Sequence, residues 1–223
     1  MSIAAAVAPD RGPGDNTPVF ERIAAELRTH GFCVLDDAIP PELATALAER
    51  VRALRSADFA PAGIGRAQDQ MLNDFVRRDE IHWLENVNPA ERGWLEWAGQ
   101  LRSYLNRELL LGLFSYEAHF AHYEPGAFYK RHFDAFRGES NRVLTTVYYL
   151  NPGWLPEDGG ELLLYPEHDT EPLMRVVPQM GRLVVFISEE FPHEVLPAKR
   201  DRYSIAGWFR VNTSTAERVD PPR

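Results

Sequence analysis

Residues 114 to 134 read FSYEAHFAHYEPGAFYKRHFD, a largely alternating pattern of apolar and polar side chains that is interrupted at Glu124-Pro125-Gly126. Alternation predicts two β-strands, and Pro-Gly marks the turn between them. The same period of two continues along the second half of the chain. We predict strands at residues 114–124, 127–134, 142–151, 160–166, 172–178, 182–188, 193–198 and 202–212. Eight short strands at near-regular spacing predict a jelly roll, or double-stranded β-helix.

The first half of the chain is predicted to be mainly helical. Apolar residues at helical spacing predict helices over residues 18–30, 41–54 and 88–111, and Gly31 is placed to cap the first of them. A short strand is predicted at 32–36. The fold class is therefore α+β, mainly β, with a jelly roll braced on one outer face by N-terminal helices.

The domain limits follow from these elements. We predict a disordered tail at residues 1–17, a single domain at 18–212 and a second tail at 213–223. The domain divides into helical support at 18–111 and a jelly-roll core at 114–212. Residues of about 57–82 lack clear periodicity, and a connection this long is either a functional loop or a disordered segment.

Composition excludes several classes of protein. The chain has 24 Lys and Arg against 33 Asp and Glu, a net charge of −9 that disfavours nucleic acid as a substrate. The single cysteine, Cys33, excludes an intrachain disulfide and a cysteine-based zinc site. No apolar run reaches the roughly 20 residues that span a bilayer, and the first residues lack a basic leader. We therefore expect a cytoplasmic protein without a membrane partner.

Three side chains in the predicted jelly roll form a ligand set for a metal ion. His132 and Asp134 lie two residues apart near the end of a strand, so they point to one face. His193 begins a distant strand that a barrel can bring to them. Two imidazoles and one carboxylate fill one face of an octahedral ion and leave three positions open, as in non-haem Fe(II) oxygenases. An isolated His-x-Asp pair is usually a surface feature, but the added His193 favours a metal site.

Arg202 is the candidate for binding a co-substrate anion. It follows His193, and a period of two places it on an inward face of the last strand with Tyr149 opposite. A buried guanidinium without an anion is costly, and a guanidinium binds a carboxylate through two parallel hydrogen bonds. The sequence therefore predicts a ligand carboxylate here, with a salt bridge to Glu161 or Glu194 as the alternative.

These residues belong to a longer series of motifs. The series comprises Tyr123-Glu-Pro-Gly126, Tyr129-Lys-Arg-His132-Phe-Asp134, Arg142-x-x-Thr-x-x-Tyr-Tyr-Leu-Asn151, Gly159-Gly160-Glu-Leu162, Pro192-His-Glu-Val195 and Arg202-Tyr-x-Ile-x-x-Trp208. In order and spacing it resembles the iron- and 2-oxoglutarate-dependent prolyl 4-hydroxylases, in particular the branch of the hypoxia-inducible-factor prolyl hydroxylases and their bacterial relatives. The resemblance covers residues 60 to 210.

The resemblance implies a role for each residue. The implied iron ligands are His132, Asp134 and His193. Arg202 and Tyr149 would hold the distal carboxylate of 2-oxoglutarate, and Tyr123 would lie near its metal-chelating end. The implied substrate contacts are Tyr129, Arg142, Trp208, Ile64 and Gly65. The last two lie in a segment, residues 62–83, that resembles the mobile loop closing over the substrate in this branch.

The resemblance also implies a reaction. Fe(II), 2-oxoglutarate and O2 would be the cofactors, with ascorbate as a further candidate reductant. Succinate and CO2 would be released, and the 4-position of a prolyl residue would be hydroxylated without a side chain acting as acid or base. The implied partner is a protein with an exposed proline, and oxygen sensing is a further implied role. The sequence carries no signal for an oligomeric state.

Three other functions stay open at this point. A related oxygenase could act on a small molecule or on nucleic acid, although Arg210 does not fit the arginine pattern of the nucleic-acid demethylases. A cupin-like dioxygenase or binding module is the second, although cupins carry His-x-His where this chain has His132-x-Asp134. A jelly roll that binds metal as a sensor, without catalysis, is the third.

Overall fold

A computed structural model describes residues 6–7, 14–62, 76–135 and 141–212 of the chain. The helices are α1 (Thr17–His30), α2 (Pro41–Ala53) and α3 (Pro89–Leu109). The strands are β1 (Ala6–Val7), β2 (Phe32–Asp36), β3 (Ala60–Pro61), β4 (Glu80–Trp83), β5 (Leu113–Tyr123), β6 (Tyr129–His132), β7 (Arg142–Tyr149), β8 (Leu162–Leu164), β9 (Met174–Val176), β10 (Leu183–Ile187), β11 (His193–Val195) and β12 (Arg202–Val211). Each of the eight strands predicted from residue 114 onward is present. β5 is shifted by one residue toward the N-terminus, and the other seven are shorter than predicted, with three residues each in β8, β9 and β11.

The strands form two sheets that pack face to face. The larger sheet has the order β1-β2-β10-β7-β12-β5-β4-β3, and the smaller has the order β6-β11-β8-β9. Apolar side chains from both sheets share one buried cluster, which includes Tyr149 and Phe186 of the larger sheet and Leu164 of the smaller. Apart from the parallel pair β1 and β2, the neighbouring strands are antiparallel. The predicted jelly roll is confirmed.

The three helices cover the other face of the larger sheet. The apolar stripe predicted on α3 is buried, and Trp94 and Leu101 are each 0% exposed. Those side chains share a second apolar cluster with α1, α2 and the outward residues of β5, β7, β10 and β12. The helices therefore brace one face of the jelly roll, as predicted, and leave the other face to the site. None of the described helices combines the length and the apolar composition required to cross a bilayer.

Local sequence explains where the helices begin and end. The Asn88 side chain accepts a hydrogen bond from the Ala90 N–H at 2.9 Å and so caps the start of α3. Gly31 ends α1 with φ of 76°, and its N–H donates to the carbonyl of Leu27. A Cβ at Gly31 would also lie 3.0 Å from the Phe191 ring, so glycine is required there by both conformation and space.

The structure adds three short strands that the sequence did not predict. β3 and β4 lie at the ends of the segment predicted as a loop over 57–82, and β4 pairs with β5. β1 lies within the predicted disordered tail and pairs with β2. All three extend an edge of the larger sheet, where pairing with an existing strand supplies the hydrogen bonds that a two- to four-residue segment cannot provide alone.

Trp94 is expected to be a main source of stability. Its ring lies 5.4 Å from that of Trp97 and 5.2 Å from that of Tyr148, measured between centroids. Trp94→Ala removes these contacts and leaves a cavity, so it should lower the free energy of unfolding by about 3–5 kcal/mol in urea titrations. Val87→Ala, at a position 75% exposed, should change it by less than about 0.5 kcal/mol. Similar values for the two variants would contradict this packing.

Candidate metal and co-substrate site

His132, Asp134 and His193 lie together between the two sheets at one end of the jelly roll. β6 and β11 are antiparallel neighbours, and His193 is directly opposite His132. Asp134 follows β6, with its Oδ1 3.5 Å from Nε2 of His132 and its Oδ2 3.5 Å from Nε2 of His193. One ligand atom from each residue lies within 4.8 Å of the other two. The two histidines thus lie opposite each other on adjacent strands of the smaller sheet.

The backbone fixes the orientation of both imidazoles. Nδ1 of His132 lies 2.8 Å from the carbonyl oxygen of Lys130, and Nδ1 of His193 lies 3.1 Å from that of Phe191. A carbonyl can only accept, so each Nδ1 carries the proton. In the neutral form of each ring the lone pair is therefore on Nε2, facing Asp134, which is the form that a metal ligand requires.

The charges of the cluster also suit a cation. Burial lowers the pKa of His193 to about 4, so this imidazole is neutral at pH 7. Burial of Asp134 opposes its ionisation, but His193 and His132 outweigh that penalty and hold the pKa of the carboxyl well below its usual range. The cluster therefore offers one carboxylate and neutral imidazole, the protonation states in which these groups bind metals.

A divalent metal ion fits these three residues. Two ligand atoms that each lie about 2.0–2.2 Å from one ion, at a right angle, are about 3 Å apart. The two Nε2–Oδ separations of 3.5 Å, one to each oxygen of Asp134, would close by about half an ångström, and all three ligand atoms lie within 4.8 Å of one another. Two nitrogen donors and one oxygen donor on one side of an ion form the facial arrangement of non-haem Fe(II) sites, with the other side open.

Arg202 is a buried cation without a carboxylate partner among the described residues. Its side chain is 1% exposed, its Nε donates to the carbonyl of Gly160 at 2.8 Å, and its Nη2 has no hydrogen-bond partner. The alternative acids are engaged elsewhere, since Glu161 pairs with Arg175 and Glu194 accepts a hydrogen bond from the Tyr165 hydroxyl. A buried cation without a carboxylate partner is energetically costly, so we expect the anion of a ligand to pair with it.

The Gly159-Gly160 turn makes room for Arg202. Gly160 has φ of 71°, and a Cβ there would lie 2.9 Å from Cβ of Ala198 and 3.2 Å from Cδ of Arg202. Any larger residue would be strained and would displace the arginine whose Nε contacts this turn. The glycine pair is therefore part of the site.

Comparison with known proteins assigns the chain to a family. A sequence model described as the 2OG-Fe(II) oxygenase superfamily matches residues 118–210. The solved structure of a Pseudomonas putida prolyl-4-hydroxylase is 40% identical, with a TM-score of 0.77 over 86% of this chain and 98% of that one. The chain belongs to the prolyl hydroxylase family of 2OG-Fe(II) oxygenases. This family membership confirms the resemblance inferred from the motifs.

Two further relatives of the chain come from animals. A Trichoplax adhaerens prolyl hydroxylase, solved with a peptide fragment of the hypoxia-inducible-factor oxygen degradation domain, is 28% identical with a TM-score of 0.77, over 87% of this chain and 90% of that one. Human Egl nine homolog 1 is 32% identical over 85% of this chain and 46% of that protein. The chain spans about half the length of the first curated relatives that it matches.

The residues predicted to hold the co-substrate lie together. Tyr149 is 0% exposed, its hydroxyl has no hydrogen-bond partner in the described part of the chain, and its ring centroid lies 5.1 Å from Cζ of Arg202. Tyr123 is paired with Arg202 across β5 and β12, and its ring lies 4.9 Å from the same guanidinium carbon. The structure thus brings one cation and two phenols onto one face between the sheets.

The predicted substrate contacts lie beside the metal cluster. The ring of Tyr129 stacks on that of His132 with 3.5 Å between centroids. Arg142 lies over the ring of Trp208 at 3.7 Å and donates to Glu117 at 2.8 Å. Trp208 therefore has one face covered by a cation that is itself held by a carboxylate. The predicted contacts Ile64 and Gly65 lie outside the described residues.

Sequence reasoning missed several polar residues around the site. Arg77 lies over the Tyr129 ring at 4.2 Å and forms two hydrogen bonds to Asp79. His119 is 4% exposed and packs against Trp208 on the sheet face that carries Arg202. Neither carries a sequence signal, because each depends on strand pairing, and a period of two in β5 could only have shown that His119 shares a face with Tyr123.

Proposed function

We propose that this chain is an Fe(II)- and 2-oxoglutarate-dependent dioxygenase that hydroxylates the 4-position of a prolyl residue in a protein substrate. The observation that carries the proposal is the buried guanidinium of Arg202, which has no carboxylate partner among the described residues, together with the cluster of His132, Asp134 and His193. A structural metal site or a metal sensor would need the cluster but not a second, separate anion site. Membership of the prolyl hydroxylase family supports the same conclusion.

The protein's part of the reaction is to bind, orient and exclude water. His132, Asp134 and His193 would hold the iron. Bound Fe(II) supplies the oxidative decarboxylation of 2-oxoglutarate to succinate and CO2 and the transfer of one oxygen atom of O2 to the substrate. Arg202 and Tyr149 would hydrogen-bond the distal carboxylate, and the Tyr123 hydroxyl would lie near the other end of the co-substrate. No side chain needs to act as a general acid or base.

The wall around the iron would position the target proline. Tyr129 is fixed between Arg77 and His132, and Trp208 is fixed under Arg142. Rigid aromatic walls exclude water and suit the apolar ring of proline. Ile64 and Gly65, in the segment of about 57–82, would cover the substrate from the open side. The substrate is proposed to be a flexible protein segment, as in the relative solved with a peptide.

The domain limits, the cellular location and the reductant belong to the same proposal. Residues 18–212 would form the catalytic domain, with tails at 1–17 and 213–223. The cytoplasm suits it, because Cys33 is unpaired and ferrous iron requires a reducing environment. Ascorbate would act as a reductant that keeps the iron ferrous, and dependence of turnover on O2 would allow oxygen sensing.

The proposal is tested by measuring succinate formation with Fe(II), 2-oxoglutarate and a library of proline-containing peptides. We expect one class of peptides to stimulate turnover and to gain about 16 Da, one oxygen atom. Peptides carrying proline deuterated at C4 should lose one deuterium, and peptides with alanine in place of proline should not react. Succinate formed only with small molecules or nucleic acid would favour a related oxygenase, and bound iron without 2-oxoglutarate binding would favour a sensor or a cupin-like module.

A further inference from the structure

Two buried hydroxyls form a short chain that ends on Asp134. The Thr145 hydroxyl, on β7, donates to Oδ2 of Asp134 at 2.8 Å. Its oxygen lies 2.9 Å from the hydroxyl of Ser188, which follows β10. Because the single proton of Thr145 is directed to the carboxylate, Ser188 must donate to Thr145. Thr145 and Ser188 are 2% and 0% exposed, and the Ser188 N–H is bonded to the carbonyl of Val143, so both hydroxyls are held in place.

The hydrogen-bonded pair of hydroxyls contacts one of the two Asp134 oxygens, Oδ2. Each oxygen lies 3.5 Å from one imidazole, Oδ1 from Nε2 of His132 and Oδ2 from Nε2 of His193, but it is Oδ2 that accepts the hydrogen bond from Thr145. A carboxylate can bind a metal through one oxygen or through both. If Asp134 used both oxygens, it would fill a further coordination position of a six-coordinate ion. Only two positions would then stay open, enough for a chelating 2-oxoacid but not for O2 in addition.

We propose that Thr145, supported by Ser188, is a positioning residue that keeps Asp134 bound to the metal through Oδ1 alone. The hydrogen bond occupies a lone pair of Oδ2 and weakens that oxygen as a donor, so it competes with the ion for Oδ2. Three coordination positions then stay open. This inference rests on the proposed function, because three open positions matter only when 2-oxoglutarate and O2 must bind together.

The neighbouring residue Thr146 provides a matched control. It is 1% exposed, and its hydroxyl is bonded to the Tyr116 hydroxyl at 2.8 Å, on the helix-covered face of the same strand. Thr146→Val therefore removes the same atoms from the same strand as Thr145→Val, but without a contact to Asp134. Thr145→Ser keeps the hydroxyl and removes only a methyl group.

The test measures two affinities of the full chain by titration calorimetry: that for Mn(II) alone, and that for 2-oxoglutarate with Mn(II) bound. Neither titration depends on a reaction with O2. Loss of a hydrogen bond to a metal ligand typically costs ten- to a hundredfold in metal affinity. We expect about that loss for Thr145→Val, a smaller loss for Ser188→Ala, and affinities within about threefold of wild type for Thr145→Ser and Thr146→Val. We also expect Thr145→Val saturated with Mn(II) to keep binding 2-oxoglutarate but to lose the exchangeable water that wild type keeps in the remaining open position, as measured by water-proton relaxation.

The outcomes separate this inference from the proposed function. Wild-type protein that binds neither Mn(II) nor 2-oxoglutarate would contradict the proposed function. Wild-type binding of both, with Thr145→Val unchanged, would overturn only the role of Thr145. A loss shared equally by Thr145→Val and Thr146→Val would also overturn it, because it would reflect packing of the strand. If Thr145→Val fails to fold, the other two variants provide the test. Unchanged affinities for Mn(II) and 2-oxoglutarate in Ser188→Ala would overturn the inference. So would a Mn(II) affinity of Thr145→Ser as low as that of an Asp134 variant.

Discussion

Replacing Asp134 by alanine is expected to abolish metal-dependent turnover of 2-oxoglutarate. The substitution removes the single anionic donor and leaves two neutral imidazoles, His132 and His193, whose orientation is fixed by backbone carbonyls. Loss of a supporting hydrogen bond costs ten- to a hundredfold in activity, so loss of the ligand itself should exceed about a hundredfold. Succinate formation under saturating Fe(II) and 2-oxoglutarate measures this directly.

Stability measurements separate loss of metal binding from misfolding. A ligand that binds only the folded state raises the unfolding temperature, so Mn(II) should raise the Tm of wild-type protein and not that of Asp134→Ala. Asp169→Ala is the matched control, because Asp169 is an exposed acid near the same end of the jelly roll. It should keep both turnover and the Tm shift. A Mn(II)-dependent Tm shift in Asp134→Ala equal to that of wild type would show that the cluster is not the metal site.

Replacing Arg202 by methionine is expected to raise the KM for 2-oxoglutarate by about ten- to a hundredfold, with kcat retained at saturation. Hydrogen bonds between charged groups contribute about 1.5–3 kcal/mol, and each 1.4 kcal/mol corresponds to about tenfold in affinity. Methionine keeps most of the volume between the Tyr123 and Tyr149 rings, so the effect reports the lost charge. Arg202→Lys should recover only part of it, because an ammonium lacks the planar pair of donors.

The control for this prediction is Arg22→Met. Arg22 is half exposed and pairs with Glu26 within α1, so it changes the net charge equally on the helical layer instead of in the site. It should leave the KM for 2-oxoglutarate within about twofold of wild type. Unchanged 2-oxoglutarate affinity in Arg202→Met would mean that the buried guanidinium serves another anion, and the proposed co-substrate would have to be reconsidered.

Most of the fold could be predicted from the sequence because each long strand carries its own alternating pattern. β5 and β12 each contain ten or more residues, and the pattern over that length is unambiguous. β3 and β4 were missed because neither lies in a longer alternating segment, and they are strands through pairing, β3 with β4 and β4 with β5. Local sequence therefore predicts elements that would be strands in any context, and not those that depend on a neighbour.

The candidate site follows the same logic. His132, Asp134 and Arg202 belong to residue types with specific chemistry, so their spacing alone predicted a cluster. Thr145 and Ser188 could not be singled out, because buried hydroxyls are common in strands. Their connection to Asp134 exists only once β7, β10 and the turn after β6 are assembled.

Because His193 lies opposite His132 on an adjacent strand, the candidate metal cluster depends on the register of β6 and β11. Side chains in a strand alternate between faces, so a slip of β11 by one residue would turn His193 out of the cluster and put Glu194 in its place. The pairing with β6 shifts between His193 and Val195, but the pairing with β8 is regular over all three residues, so β8 holds β11 in this alignment. Metal binding at these three residues would therefore require that the smaller sheet has formed in the correct register.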